Sequence, residues 1–155
     1  ALKKFTDDSI AVTHQCGKGN SEKVKALYEG ASFKVEATDF IDNMDALYAN
    51  TDLIICRAGA LTVAETSTAG IPAIFVPLPS AVDDHQTKNA SVLAKAGAAF
   101  VCKQSSLSAD SLYDLVKSLV DDREKLAFMS SKAYECAITD ATERAVKIID
   151  SVVKD

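Results

Sequence analysis

Short apolar runs alternate with helix-patterned segments as far as Cys102, and this alternation restricts the fold more than any other feature of the sequence. Residues 53–57 and 73–78 are apolar almost throughout, as in strands that are covered on both faces. Further strand candidates lie at residues 9–14, 33–37 and 98–102. Strands that alternate with helices across short loops form parallel sheets with right-handed crossovers. The sequence therefore predicts an α/β fold, a Rossmann-like parallel sheet with flanking helices.

Helical patterns fill the segments between these strands and the whole region after Cys102. The predicted helices cover residues 21–28, 43–49, 63–69 and 85–96, then a segment with Leu112, Leu115, Val116 and Leu119 on one face, 125–136 and 141–153. Gly70 and Gly97 stand where helices commonly end in a left-handed glycine. No linker or repeat interrupts the pattern. We expect one domain over residues 1–155 with an all-helical C-terminal region.

Charge and composition exclude several classes of function. The net charge of -5, from 17 basic and 22 acidic residues, disfavours nucleic acid as a partner, because such proteins need a basic face. The four cysteines are widely spaced, which favours free thiols in a reduced compartment over a disulfide framework. Only two histidines occur and no cysteine clusters with them, so a transition-metal site is not expected. No apolar run approaches the length of a membrane span.

Ligands of open parallel sheets bind at the carboxyl ends of the strands, so the candidate site lies in the loops that follow them. The sequence contains no G-x-G-x-x-G, no P-loop, no G-x-S-x-G and no H-E-x-x-H. The adjacent acids Asp83 and Asp84 precede a predicted helix, where capping is a better explanation than binding of Mg²⁺. The candidate residues must therefore be found from the chemistry of each loop.

The segment at residues 57–65, R-A-G-A-L-T-V-A-E, follows an apolar strand and opens a helix. Gly59 allows close approach of a ligand, and the amides of Ala60, Leu61 and Thr62 at a helix start would favour an anion such as a diphosphate. Glu65 has two interpretations. It could accept hydrogen bonds from ribose hydroxyls, or it could complete a T-x-x-E capping box with Thr62. The residues alone favour the capping box.

Two further loops carry polar or apolar groups suited to a ligand. Gln86 and Asn89 share a helix face with His85 and could bind sugar hydroxyls, although an ordinary polar first turn is the simpler explanation. Phe40, Ile41 and Met44 could form an apolar wall with free backbone groups for a base. The equal alternative there is a hydrophobic staple with a cap at residue 42. The segment at residues 14–17, H-Q-C-G, ends a strand near the same edge of the sheet, and Gly17 there permits a tight turn. It could contribute to the site, and a purely structural strand end is the equal alternative.

Four motifs in matching order resemble the C-terminal domain of the MurG-like UDP-N-acetylglucosamine transferases. They are H-Q-x-G-K at residues 14–18, F-I-D-x-M at 40–44, C-R-A-G-A-L-T-V-A-E at 56–65 and D-H-Q-T-x-N-A at 84–90. The segments G-A-A at 97–99 and D-A-T-E-R at 140–144 fit as well. Each motif is weak by itself, but four with matching order and spacing are specific.

The resemblance implies roles for individual residues. Ile41 would bind uracil through its backbone, with Phe40 and Met44 nearby. Glu65 would hold the ribose hydroxyls, which reverses the preference for a capping box. The remaining implied contacts are Ala60, Leu61 and Thr62 along the ribose and diphosphate, and Gln86, His85 and, less directly, Asn89 at the N-acetylglucosamine.

The resemblance also implies a whole enzyme of the GT-B type, with two Rossmann-like domains across a cleft. It would be an inverting transferase that converts lipid I to lipid II in peptidoglycan synthesis, without a cofactor or tightly bound metal. It would work as a peripheral protein on the cytoplasmic face of the inner membrane. The family's Gly-Gly-Ser loop and acceptor domain are absent before His14, so this chain resembles a fragment, and catalytic groups are expected mainly in the missing domain. The fragment is expected to be inactive alone.

Two alternatives remain at this point. One is a stand-alone donor-binding subunit of a two-subunit UDP-N-acetylglucosamine transferase. The other is a non-enzymatic, flavodoxin-like signalling module, although the strand ends at His14 and Arg57 lack the acidic residues that a receiver domain needs.

Overall fold

A computed structural model describes residues 1–80 and 84–153 of the chain. The chain divides into two compact units, one formed by Ala1–Thr51 and Ser105–Ala127, the other by Asp52–Gln104 and Phe128–Asp155. Among the helices of the described residues, none is long and apolar enough to span a membrane.

The first unit contains a pair of parallel strands and their crossover helix. Its elements are β1 (Ala11–Gln15), α1 (Ser21–Leu27), β2 (Lys34–Thr38), α2 (Met44–Tyr48) and α5 (Ala109–Val120), after a 3-10 turn at Leu2–Lys4. Strand β1 pairs with β2 from Ala11 opposite Lys34 to Gln15 opposite Thr38. Because the strands are parallel and in register, their carboxyl ends reach the same edge of the sheet.

The second unit contains a three-stranded parallel sheet with helices between its strands. Its elements are β3 (Ile54–Cys56), α3 (Ala60–Thr68), β4 (Ala73–Phe75), α4 (His85–Lys95), β5 (Ala99–Val101) and α7 (Ala141–Val153), and α6 (Arg123–Glu135) is divided between the units. The strand order is β3-β4-β5. The core of this unit is made mainly of alanines packed around larger apolar side chains. The largest side chains that are fully buried in this unit are Phe75, Ile71, Ile74 and Leu93.

Left-handed glycines end two helices of this unit. Gly70 after α3 has a φ of 65°, and Gly97 after α4 has a φ of 82°. In each case the glycine and the next residue donate back into the last turn, as in Ile71 N–H to the carbonyl of Thr66 at 2.9 Å. These are Schellman motifs, which satisfy carbonyls that the helix leaves open. The prediction that both glycines cap helices is confirmed.

The first unit is held by aromatic contacts and by a capped helix. Phe5 is buried and meets the ring of Tyr113 edge-on, with centroids 5.1 Å apart. Helix α5 begins with a reciprocal capping box between Ser108 and Ser111, which satisfies amides at the helix start.

The predicted fold class is confirmed: parallel strands alternate with helices, and within the described residues only helices follow β5. The strand bounds differ for local reasons. Strand β1 begins at Ala11 rather than residue 9, because Ser9 donates both its amide and its hydroxyl to the carboxylate of Asp7. Strand β4 ends at Phe75 rather than residue 78, because Pro77 has no N–H to continue the ladder. One domain over residues 1–155 stays a prediction.

The four cysteines are free thiols, as expected. Burial raises the pKa of Cys56 to about 12 and also raises the pKa of Cys102. Cys56 ends β3 and packs against the core as a small apolar side chain, and Cys102 directly follows β5.

Candidate functional site

Two backbone hydrogen bonds join the loops that follow β1 and β2 in the first unit. Cys16 N–H donates to the carbonyl of Thr38 at 2.8 Å, and Gly17 N–H donates to the carbonyl of Asp39 at 3.0 Å. Gly17 has a φ of 79°, a conformation that favours glycine and lets the chain turn at once into α1. The turn predicted at Gly17 is therefore present.

Asp39 fixes the start of α1 from the neighbouring loop. Its carboxylate accepts from the amides of Gly19 at 2.6 Å and Ser21 at 2.9 Å, while the N-cap residue Asn20 makes no side-chain capping bond. These amide donors hold the pKa of Asp39 below its ordinary value. The sequence analysis missed this residue. An acid directly after a strand, opposite a glycine-rich loop, is the signal that would have found it.

The backbone of Ile41 lies next to an exposed aromatic ring. Ile41 N–H donates to Oε1 of Gln15 at 3.2 Å, and the hydroxyl of Thr38 donates to the carbonyl of Phe40 at 2.9 Å. The side chain of Phe40 is 66% exposed, whereas Ile41 and Met44 are half-buried. The exposed ring of Phe40 therefore lies next to backbone groups of Phe40 and Ile41 that the side chains of Thr38 and Gln15 hold in place.

The alternative interpretation of this loop, a staple with a cap at Asp42, is wrong. Asn43 is the N-cap residue of α2, and its side chain accepts from the amide of Ala46 at 3.0 Å. The residue before the cap is then Asp42, which has no apolar side chain to form a staple.

His14 makes structural contacts inside the first unit. Its Nδ1 is 3.2 Å from the hydroxyl of Tyr28, and the two rings meet edge-on with centroids 5.9 Å apart. Burial raises the pKa of Tyr28, so this hydroxyl stays protonated at neutral pH. The contact supports the structural interpretation of the end of β1.

In the second unit, α3 begins immediately after Gly59. The first helical hydrogen bond runs from Val63 N–H to the carbonyl of Gly59 at 2.9 Å, so the amides of Ala60, Leu61 and Thr62 lie at the open end of the helix. Helix α3 was predicted to start at residue 63 and in fact starts three residues earlier. Leu61 is 79% exposed, so its side chain does not cover this end.

Gly59 is not required by the fold itself. Its φ of -61° and ψ of 148° suit any residue, and a Cβ placed on it would meet Thr62 Oγ1 at an ordinary 3.7 Å. A side chain at this position would instead occupy space outside the protein, in front of the helix start. This observation fits a glycine that leaves room for a ligand.

The capping box predicted for Thr62 and Glu65 is wrong. The N-cap residue is Gly59, so Thr62 is the third residue of α3 and Glu65 lies in its second turn. A capping box needs the hydroxyl residue at the N-cap position. Glu65 is exposed on the surface of α3 and is not part of its N-terminal cap.

The carboxamides of Gln86 and Asn89 each bind the backbone of a strand-end loop. Gln86 Oε1 accepts from the amide of Leu78 at 2.9 Å, and Asn89 Nδ2 donates to the carbonyl of Ala58 at 3.1 Å. Asn89 is thereby brought to the loop that precedes α3. His85 is the first residue of α4 and is exposed.

The acids before α4 were predicted to be caps. Asp84 occupies the N-cap position with a φ of 53° but makes no side-chain bond to a helix amide. Its carboxylate instead accepts from the hydroxyl of Thr87 at 2.6 Å. Asp83 lies outside the described residues.

Arg57 joins the ends of all three strands of the second unit, and the sequence analysis gave it no role. Its guanidinium donates to the carbonyls of Val76 at 2.9 Å and Pro77 at 3.2 Å, and to Oε1 of Gln104 at 2.7 Å. A lone arginine directly after an apolar strand is the sequence signal from which this role could have been predicted.

Over residues 1–80 and 84–153, no group of three or more histidine, cysteine or acidic residues could hold a metal ion.

Comparison with known proteins identifies the family. The family model described as the glycosyltransferase family 28 C-terminal domain matches residues 1–151. The chain belongs to this family. It is therefore a glycosyltransferase domain, and the expected resemblance to the MurG-like enzymes is confirmed.

Two curated relatives carry the name UDP-N-acetylglucosamine--N-acetylmuramyl-(pentapeptide) pyrophosphoryl-undecaprenol N-acetylglucosamine transferase. The one from Shewanella violacea is 48% identical over 95% of this chain and 41% of its own length. The one from Shewanella frigidimarina is 47% identical over 94% of this chain and 40% of its own length. The chain thus spans about two fifths of the relatives that it matches.

A comparison with solved structures leads to the same family. The crystal structure of Acinetobacter baumannii MurG matches with a TM-score of 0.91 and 44% identity, covering 97% of this chain and 45% of that chain. The glycosyltransferase VinC in complex with dTDP has a TM-score of 0.72 at 20% identity, covering 99% of this chain and 37% of that chain. The second likeness shows the fold alone.

Proposed function

We propose that this chain is the donor-binding half of an inverting N-acetylglucosaminyltransferase and that it binds UDP-N-acetylglucosamine. In the longer enzyme, the reaction would convert lipid I to lipid II in peptidoglycan synthesis. The names of the Shewanella relatives support this substrate pair. Because the chain spans about two fifths of those relatives, the transfer itself belongs to the whole protein.

The start of α3 carries the proposal. Three amides open toward solvent after a glycine that the fold does not need, which is the arrangement that binds a diphosphate at a helix N-terminus. One turn further along, Glu65 is not a cap, and a carboxylate there is suited to accept from the two ribose hydroxyls. In this proposal Ala60, Leu61 and Thr62 lie along the ribose and diphosphate.

The base and the sugar have their own proposed contacts. Ile41 would bind uracil through its backbone, with the exposed ring of Phe40 and the half-buried Met44 as apolar neighbours. Gln86 would contact hydroxyls of the N-acetylglucosamine, with His85 and Asn89 nearby. The oxygen of Gln86 is already bound to Leu78, so its nitrogen is the group that remains to donate to a hydroxyl.

The proposed chemistry is a single displacement. The acceptor hydroxyl attacks the anomeric carbon as the bond to UDP breaks, and its proton passes to a base expected in the preceding domain. The negative charge that develops on UDP is stabilised by the amides at the start of α3. This chain would therefore supply leaving-group stabilisation and orientation of the sugar. We propose no cofactor and no tightly bound metal.

The remaining parts of the proposal concern the whole enzyme. A preceding domain would bind the lipid-linked acceptor and supply most catalytic groups, at the cytoplasmic face of the inner membrane. A stand-alone donor subunit is less well supported, because the relatives carry the matching segment within a chain more than twice as long. The signalling module is set aside, because the chain belongs to a glycosyltransferase family.

Amide-resolved NMR titration of the chain with UDP-N-acetylglucosamine, UDP and ADP tests the proposal. We expect the uridine ligands to shift the amides of Ile41 and of residues 60–65, and ADP, which has no uracil, to leave the amide of Ile41 unchanged. Equal indifference to all three ligands would remove the donor-binding role. In the full-length enzyme, Glu65→Ala should raise the KM for the donor, and an unchanged KM would exclude Glu65 from the ribose contact.

A further inference from the structure

The amide of Ile41 is bound by a side chain of the protein itself. Its N–H donates to Oε1 of Gln15, a residue 26 positions earlier at the end of β1. An N–H can only donate, so the carboxamide must present its oxygen to Ile41 and turn its nitrogen away. The orientation of the Gln15 carboxamide is thus fixed by its partner.

This carboxamide has the same hydrogen-bonding pattern as one edge of uracil. Gln15 offers a carbonyl oxygen next to an N–H donor, and uracil offers O4 next to N3–H. Cytosine carries an amino group in place of O4, so it would direct a donor at a donor. The Gln15 oxygen therefore occupies a position that suits a hydrogen-bond acceptor of a base. An amino group at this position could not pair with the Ile41 N–H, because both groups are donors.

We propose that Gln15 is a competitor of the base: its carboxamide oxygen holds the Ile41 amide in the way that a uracil oxygen would, and the base displaces it. The inference rests on the proposed contact between Ile41 and uracil. Only a base with an acceptor at this position can replace the Gln15 oxygen without leaving the amide unpaired. Displacement reduces the affinity for every uracil ligand, because the protein must first give up its own hydrogen bond.

The surrounding loop explains why Gln15 can leave while Ile41 stays in position. Asp39 is fixed by the amides of Gly19 and Ser21, and the carbonyl of Phe40 accepts from the hydroxyl of Thr38. These bonds hold the backbone on the N-terminal side of Ile41 without any contribution from Gln15. The Gln15 side chain is exposed, so its displacement breaks no apolar packing.

Calorimetric titration of the wild-type chain and Gln15→Ala with UDP and CDP tests this role. A neutral hydrogen bond contributes a net factor of about 2 to 10, so we expect Gln15→Ala to bind UDP about two- to tenfold more tightly. CDP affinity should not change, since CDP does not compete for the amide. Thr13→Ala is the matched control, because Thr13 is also exposed on β1 and lies two residues before Gln15.

Hydrogen exchange at Ile41 gives a second measurement. In Gln15→Ala the Ile41 amide should exchange faster than in the wild type, and UDP but not CDP should slow it again. If UDP perturbs Ile41 in the wild type but Gln15→Ala binds UDP equally or more weakly, the role of Gln15 is refuted and the proposed function stands. If Gln15→Ala binds UDP and CDP more tightly by the same factor, Gln15 does not compete with a uracil oxygen for the Ile41 amide, and the proposal is refuted. If UDP binds to neither protein, the proposed function fails and the role of Gln15 fails with it.

Discussion

Replacing Gly59 with alanine should separate ligand binding from stability in the second unit. The backbone at Gly59 has a φ of -61°, which alanine adopts without strain, and the new methyl group would lie 3.7 Å from Thr62 Oγ1. Alanine is a poorer N-cap than glycine, but it also stabilises the fold by about 0.4–1 kcal/mol because it lowers the conformational entropy of the unfolded chain. The two effects oppose each other, so the free energy of unfolding should change by less than about 1 kcal/mol.

Binding of UDP should respond much more strongly. The methyl group would stand in front of the helix start and keep a phosphate oxygen from at least one of the amides of Ala60, Leu61 and Thr62. A hydrogen bond to a charged group contributes roughly 1.5–3 kcal/mol, so the Kd for UDP should rise about 10- to 150-fold. Isothermal titration calorimetry measures the Kd, and urea denaturation measures the stability.

Gly30→Ala is the matched control for this prediction. Gly30 has a φ of 77° with open space around it, so alanine there is strained by its backbone alone. This variant should lose roughly 1 kcal/mol of stability and keep its UDP affinity, the reverse of Gly59→Ala. If Gly59→Ala binds UDP as tightly as the wild type, the amides at the start of α3 do not hold the diphosphate.

Three further predictions concern single side chains. Glu65→Gln should weaken UDP binding at least about tenfold, as measured by calorimetry. Ser108→Ala is its control: it should lose about 1 kcal/mol of stability in urea denaturation, because its helix cap is removed, and keep its affinity for UDP. The pKa of Asp39 is lowered in the folded protein, so its contribution to stability is complete above its unfolded pKa of about 3.9 and is lost as the pH falls through the lowered value. Asp39→Asn should therefore flatten the acid limb of a stability profile, and an unchanged limb would exclude Asp39 as its source. Because burial raises the pKa of Cys56 to about 12, iodoacetamide at pH values near 8 should modify it far more slowly than free cysteine, as followed by mass spectrometry.

The alternation of apolar runs and helical patterns was sufficient to predict the parallel α/β fold, because burial on both faces leaves a continuous signal in each strand. The ends of elements were not predictable in the same way. Strand β4 stops where Pro77 removes a donor, and β1 starts after a turn in which Asp7 binds Ser9. Such ends depend on one or two local hydrogen bonds, which compete with an apolar pattern that continues past them.

The motifs located the loops of the candidate site, but they did not identify the partners of the side chains. The T-x-x-E pattern at Thr62 and Glu65 matched a capping box because the helical pattern predicted a helix from residue 63, whereas α3 begins at Ala60. The bond between Gln15 and Ile41 joins residues 26 positions apart, and the bond between Asn89 and Ala58 joins residues 31 apart. Pairs at these separations follow from strand pairing and helix packing, and local patterns do not contain that information.

Gln15, Gln86 and Asn89 show how the backbone determines which end of a carboxamide is left for a ligand. Gln86 accepts from Leu78 with its oxygen, so only its nitrogen remains to donate. Asn89 donates to Ala58 with its nitrogen, so its oxygen remains to accept. A flexible amide in water could present either end, but one bound at one end presents the other in a fixed direction. A sugar hydroxyl both donates and accepts, so it can satisfy either of these groups. In the proposed site Gln15 differs, because a uracil base would have to take the place of its bound oxygen. Gln15 would then compete with the ligand, whereas Gln86 and Asn89 would bind it.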